Sequence, residues 1–366
     1  MQAARVRRSS PVRRRTAVAL LAASVLAGCA NLTYYLQSVR GQLDIWSRQH
    51  DIEAVIARAD VAEPLRKKLQ AVLAVREFAS AELALPRNAS YRSYANLGRA
   101  YAVWNVFATP EFSLQPRQWC FLFAGCVNYR GYFEKPDADD FAAGVRAEGY
   151  DVFVGGVPAY SLLGYFPDPV LNTFINYPMP HLARLIFHEL AHQVVYVRDD
   201  SVFNESFAVT VEQEGSRRWL DRHGSEADRL AYDEISRRRD GFVRLIETYR
   251  DRLETLYKTG LAREAMRERK TALFGELHAD YVHLKAGWAG FAGYDHWFAQ
   301  GPNNALLASV GIYTKRVPAF QALLEREGND LPRFYAAAKA LARLPKPERT
   351  AALDSLMPRT TTATAH

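Results

Sequence analysis

The sequence predicts an α+β domain, mostly helical, with a small sheet and a long helical hairpin. Three observations predict it. Residues 225–290 are charged and heptad-like, with Leu230, Ile235, Phe242, Leu245, Tyr249, Leu253 and Leu256 at helical spacing. Residues 88–135 interleave Tyr91, Tyr94, Tyr101, Trp104, Phe107, Trp119, Phe121 and Phe123 with turn residues, which favours short strands and loops. Two further helices, over about 180–197 and 201–223, lie between these regions. The composition of the 366 residues (hydrophobic 49%, aromatic 12%, charged 24%) is globular, which excludes a mainly disordered, collagen-like or polytopic membrane chain. Three cysteines are too few for a disulfide-built scaffold.

The first element is not part of the fold. Residues 1–28 contain six arginines and no Asp or Glu, and an apolar run from Ala17 to Ala27 follows the basic stretch. That run is too short to span a bilayer as a helix and reads as a secretory signal peptide. It ends in Leu26-Ala27-Gly28-Cys29, which resembles the lipobox of bacterial lipoproteins. The resemblance implies lipidation of Cys29 and cleavage before it. It also implies a periplasm-facing protein held at the bacterial cell envelope by lipid. Ala30 in place of Asp after the cysteine favours the outer membrane over the inner. Removing the six arginines turns the formal +7 into 41 basic against 40 acidic residues. A nearly neutral mature chain offers no argument for nucleic acid.

The mature chain reads as one domain over 29–345. Residues 49–84 read helical, with Ile52, Val55, Ile56, Val61 and Leu65 on one face and Pro64 near a helix start. Cys120 and Cys126, with five residues between them in a chain read as exported, are expected to form a disulfide. Residues 151–157 form a strand-like run ending at Gly155-Gly156. The hairpin over 225–290 is expected to turn near Thr259-Gly260, with Arg217-Arg218 and Arg237-Arg238-Arg239 on solvated faces. The Thr/Ala/Pro-rich stretch 346–366 is expected to be a disordered tail.

The chemistry is concentrated at His188-Glu189-Leu-Ala-His192-Gln193. Two histidines four apart project from one helix face, one turn apart, and can reach one zinc ion at about 2.0–2.1 Å. Glu189, slightly around the helix, can address a water rather than the metal, which is the spacing metal-assisted hydrolysis requires. Leu182, Leu185, Ile186, Leu190, Val194 and Val195 make the helix apolar almost all round. Burying two histidines and a glutamate there is costly unless they bind or react with something. A catalytic zinc usually has three protein ligands. Glu205, after a helix start capped by Asp200 or Ser201, is the expected third, and Glu212, seven residues later, is the alternative. His181, just upstream, is placed to support the ligands from behind.

HELAHQ followed by Asn204-Glu205-Ser-Phe-Ala208 resembles the gluzincin metallopeptidases, locally the alanyl and leucyl aminopeptidases with HELAHQ and NEGFA. Over roughly 29–345 the chain resembles a family of predicted bacterial aminopeptidases, zincin-like and often lipoproteins. The family resemblance runs through Tyr34-Tyr35-Leu-Gln-Ser-Val-Arg-Gly41, Tyr129-Arg-Gly-Tyr132, Gly155-Gly-Val-Pro-Ala-Tyr-Ser161 and Asp168-Pro-Val-Leu171. These resemblances imply a zincin-like fold, a Zn2+ cofactor, His188, His192 and Glu205 as ligands, and Glu189 as general base. They further imply a downstream Tyr that stabilises the oxyanion, for which Tyr313 is the candidate. Two departures stand out. Twelve residues separate His192 from Glu205, against eighteen in the large aminopeptidases. Where those enzymes have a GAMEN strand whose Glu grips the substrate amine, Gly155-Gly156-Val-Pro-Ala-Tyr160 offers no acid. The two glycines can let a substrate strand approach the backbone. Asn303-Asn304 follows Gly301-Pro302, a turn; substrate binding at Asn304 is the second reading.

The expected function is therefore zinc-dependent hydrolysis of peptide bonds in a peptide or protein substrate, as an aminopeptidase. The alternatives are an envelope metalloendopeptidase and a non-catalytic, metal-containing binding lipoprotein.

Overall fold

The computed structural model describes residues 32–121, 125–162 and 164–357, and of residues 312–314 the backbone alone. The expected signal peptide (residues 1–28) and Cys29 lie outside the described residues. The chain divides into two compact units between Ser47 and Arg48, where the sequence reading drew one domain from residue 29. Of the first unit the described part is one helix, α1, over residues 32–47.

The second unit is α+β and mostly helical, as expected. The helix read over 49–84 is a strand, β1 (Gln49–Asp51), and two helices, α2 (Ile52–Ala57) and α3 (Glu63–Ala81). Local chemistry sets both boundaries. Asp51 caps α2 by accepting from the Glu53 N–H at 2.8 Å. Pro64, in the first turn of α3, has no N–H to donate to a preceding turn, so a helix can start there but not run through from α2.

The aromatic region forms short strands. β2 (Ser93–Ala95) lies between β1 and β8 (Val170–Leu171). β3 (Val103–Pro110) is the centre of a sheet ordered β6 (Arg130–Tyr132), β3, β7 (Tyr150–Val157), antiparallel throughout. β4 (Trp119–Phe121) and β5 (Gly125–Val127) form a ribbon, and Cys120 and Cys126 are joined across it. α4 (Lys135–Ala147) precedes β7.

The metal-motif helix α5 (Met179–His192) and α6 (Ser201–His223) follow, then the hairpin α7 (Glu226–Tyr257) and α8 (Arg263–Ala286). The hairpin turns where expected, with Gly260 at φ 68°, a conformation that suits glycine. Short α9 (Asp295–Phe298) leads to α10 (Asn304–Thr314), α11 (Val317–Arg326), α12 (Leu331–Ala342) and α13 (Lys346–Leu356). The hairpin packs on the sheet: Phe242, Ile246, Tyr249, Leu277 and Tyr281 share a buried cluster with Phe107 and Phe153. Lys270 fixes it to β7 through Asp151 at 2.7 Å.

Two expectations change here. Asn304 is fully buried and takes part in this anchor, not in substrate binding. Its side chain accepts from the Tyr257 hydroxyl at 2.7 Å and donates to the Glu111 carbonyl at 2.9 Å. The tail is ordered through α13, because Arg349 is buried against Asp200 at 2.9 Å and Leu353 is buried beside it. The composition-based reading missed Pro347 in the first turn, a helix-start signal.

Candidate functional site

Helix α5 starts with Pro180 in its first turn and ends at His192, five residues sooner than periodicity suggests, with Gln193 as its C-cap. Gln193 instead hooks backward. Its amide donates to Ser90 Oγ at 3.2 Å and Asp168 Oδ2 at 3.3 Å, and accepts from Asn88 at 2.7 Å. One face of α5 (Leu182, Ala183, Ile186, Phe187, Leu190, Ala191) is buried core. The other carries His181, Arg184, His188 and His192, spaced for a single stripe.

Helix α6 brings the acids. Asp200 is its N-cap, accepting from the Phe203 N–H at 3.2 Å. Asn204 is almost fully buried and bonds both ways to Val197, N–H to Oδ1 at 2.7 Å and Nδ2 to carbonyl at 2.8 Å. That clamp closes the twelve-residue connection and fixes the direction in which neighbouring Glu205 points. Gly215 lets the helices approach, since a Cβ there would lie 2.8 Å from both Leu83 and Phe187.

Three donors converge. His188 Nε2 lies 3.2 Å from His192 Nε2 and 3.2 Å from Glu205 Oε2, with His192 Nε2 to Glu205 Oε2 at 3.7 Å. A tetrahedral ion with ligands at about 2.0–2.2 Å needs donor separations of about 3.3–3.6 Å. The arrangement therefore fits one divalent cation, which His188, His192 and Glu205 could hold between them.

Glu212 takes the other role. It meets His188 at Nδ1, 2.9 Å away, on the side opposite the cluster. It is in turn gripped by Arg184, whose Nε is 2.7 Å away, and by Arg239 at 3.4 Å. Of the two candidate acids, Glu205 faces the cluster and Glu212 holds the far nitrogen of the His188 ring. Arg239, read as part of a solvated face, instead reaches into this network.

Burial alone would raise the Glu212 carboxyl, but Arg184, His188 and Arg239 bring it down to about 2. Burial likewise opposes ionisation of Glu205, and His192 and His188 outweigh it, again to about 2. For Glu189 burial dominates and lifts the carboxyl above its ordinary value, with His188 and His192 pulling the other way. Behind it sits Tyr91, buried at φ 61°, with its N–H on the Asp168 carbonyl at 2.6 Å. Burial also raises Asp168 to about 6.

Because the second ring nitrogen sets how a metal-binding imidazole is oriented, Glu212→Gln should weaken zinc affinity by about 10- to 100-fold. Competition with a chromogenic chelator measures it. An affinity unchanged from wild type would show that Glu212 does not orient the ring.

His188 and Glu189 open onto a cleft of about 850 Å³. Gly155 and Gly156 of β7 line it, as do His181, Arg184, Arg239, Tyr101 and Gln300. A Cβ on Gly156 would lie 2.5 Å from the Tyr101 ring, so this glycine is needed for close packing on the face of the strand. His181 lies among Arg184, Arg239 and Glu212 rather than against the three converging donors, and burial lowers its pKa to about 4. Tyr313 falls in α10, and its side chain lies outside the described residues.

A family model described as "Putative aminopeptidase" matches residues 33–353. No curated protein matches the chain, and no solved structure does.

Proposed function

Because the chain belongs to the family described as "Putative aminopeptidase", we propose that it is a zinc-dependent peptidase of zincin type that removes residues from peptide N-termini. We further propose that it is held at the bacterial envelope by lipid at Cys29. The observation that carries the catalytic reading is the convergence of His188, His192 and Glu205 beside Glu189 at the wall of a cleft.

His188, His192 and Glu205 hold the ion, and Glu212, backed by Arg184 and Arg239, keeps the His188 ring in place. Zinc, when bound, supplies Lewis acidity toward the scissile carbonyl and toward water. Glu189 takes the proton of the attacking water and passes it to the leaving amine. Burial raises its proton affinity above that of an ordinary carboxylate, the direction that favours a general base. The backbone at Gly156, on the free edge of β7, receives the peptide as an added strand, with Gly155 beside it on the cleft wall. Tyr313 is assigned as donor to the developing oxyanion on sequence alone.

The direct test compares free and N-acetylated fluorogenic peptides on zinc-loaded protein. Rapid hydrolysis of free peptides with loss on acetylation is expected. Equal cleavage of both would sink the aminopeptidase reading in favour of an endopeptidase, and no cleavage of either would favour the binding lipoprotein.

A further inference from the structure

β7 is the outermost strand of its sheet, and an outer strand turns the backbone groups of every second residue toward its free edge. That edge is largely spoken for. The Val152 carbonyl accepts from Asn303 Nδ2 at 3.1 Å, and the Val154 carbonyl accepts from Gln300 Nε2 at 2.9 Å. Two carbonyls two residues apart bonded from the same segment show which parity faces out. The next outward residue is Gly156, and among the described residues no side chain hydrogen-bonds to it. Beyond it Pro158 has no N–H, and its carbonyl accepts from Thr173 Oγ1 at 2.5 Å.

The capping segment is itself fixed. Trp297 stacks on Phe153 at 5.5 Å, and Asn303 caps α10 by accepting from the Leu306 N–H at 3.0 Å. Gln300 and Trp297 both line the cleft that His188 and Glu189 open onto.

We propose that Gln300 determines how much peptide the site accepts: a substrate pairs with β7 through Gly156 and is stopped at Val154, so the enzyme takes peptides with a chain end close to the scissile bond. This rests on the peptidase reading and deepens it. An antiparallel substrate would bring its C-terminal side to Gln300 and a parallel one its N-terminal side, so the end at which lengthening is penalised identifies the orientation.

The test uses zinc-loaded protein and a ladder of peptides, from dipeptide to octapeptide, extended separately at each end. For the wild type, kcat/KM should fall once extension on one side passes the Val154 position. Gln300 is exposed, so Gln300→Ala should fold normally. It should lower KM for the longer peptides by about two- to tenfold, the equivalent of one freed hydrogen bond. Calorimetric binding of the same ladder to the Glu189→Gln protein reads the length dependence without turnover. Cleavage that is indifferent to length, or a length profile unchanged in Gln300→Ala, overturns the proposal while leaving the peptidase reading intact. Failure of zinc-loaded wild type to cleave any peptide overturns both.

Discussion

Glu189→Gln should retain zinc at the wild-type level while hydrolysis of the best peptide substrate falls by about 10²- to 10⁴-fold. The amide is nearly isosteric with the carboxylate and cannot accept a proton from water. Glu189 lies outside the cluster of His188, His192 and Glu205, so its replacement leaves every donor atom in place. Metal content by atomic absorption and kcat on a free peptide settle the matter together. Undiminished turnover in a zinc-replete Glu189→Gln protein would remove Glu189 as general base. Loss of both metal and turnover would instead place it among the groups that hold the ion.

Glu205→Ala should abolish stoichiometric zinc binding under conditions where the wild type holds one ion, and activity should go with it. Two imidazoles 3.2 Å apart remain after that change. Two ligands make a much poorer site for an ion that prefers three protein donors and an open position. The comparison with Glu212 is informative because the two acids lie on the same helix, seven residues apart. If Glu205→Ala kept its zinc and Glu212→Ala lost it, the ligand assignment would have to be exchanged. The geometry argues for Glu205, whose Oε2 approaches both Nε2 atoms, whereas Glu212 touches the ring nitrogen on the far side of His188.

The parts of this site legible in the sequence are those fixed by helical periodicity. His188, Glu189 and His192 share α5, so spacing alone places them. Glu205 follows from a cap at Asp200 and a short connection. The role of Glu212 depends on which ring nitrogen it meets, and that is decided by the packing of α6 against α5. Arg239 sits in a charge run whose local pattern says nothing about which member turns toward another helix. Asn304 is the converse case: after the turn at Gly301-Pro302 its local pattern carries no sign that the hairpin is laid over it. The fold class was likewise readable from periodicity, while the break in 49–84 and the docking of α13 were decided by Pro64 and by the Asp200–Arg349 pair. Gln300 has no local signature, because its partner is a carbonyl nearly 150 residues earlier.

That contrast has a consequence for how such a protein can change. The proposed metal donors, the proposed proton carrier and the acid behind His188 all lie between His188 and Glu212, on two adjoining helices. The groups proposed to choose the substrate, Gly156 and Gln300, come from distant stretches of chain and meet only at the rim. On the proposed reading, reaction and selectivity are thus separately heritable: loop exchange around α9 should change which peptides are taken while leaving the groups on α5 and α6, and their support from Arg239 on α7, in place.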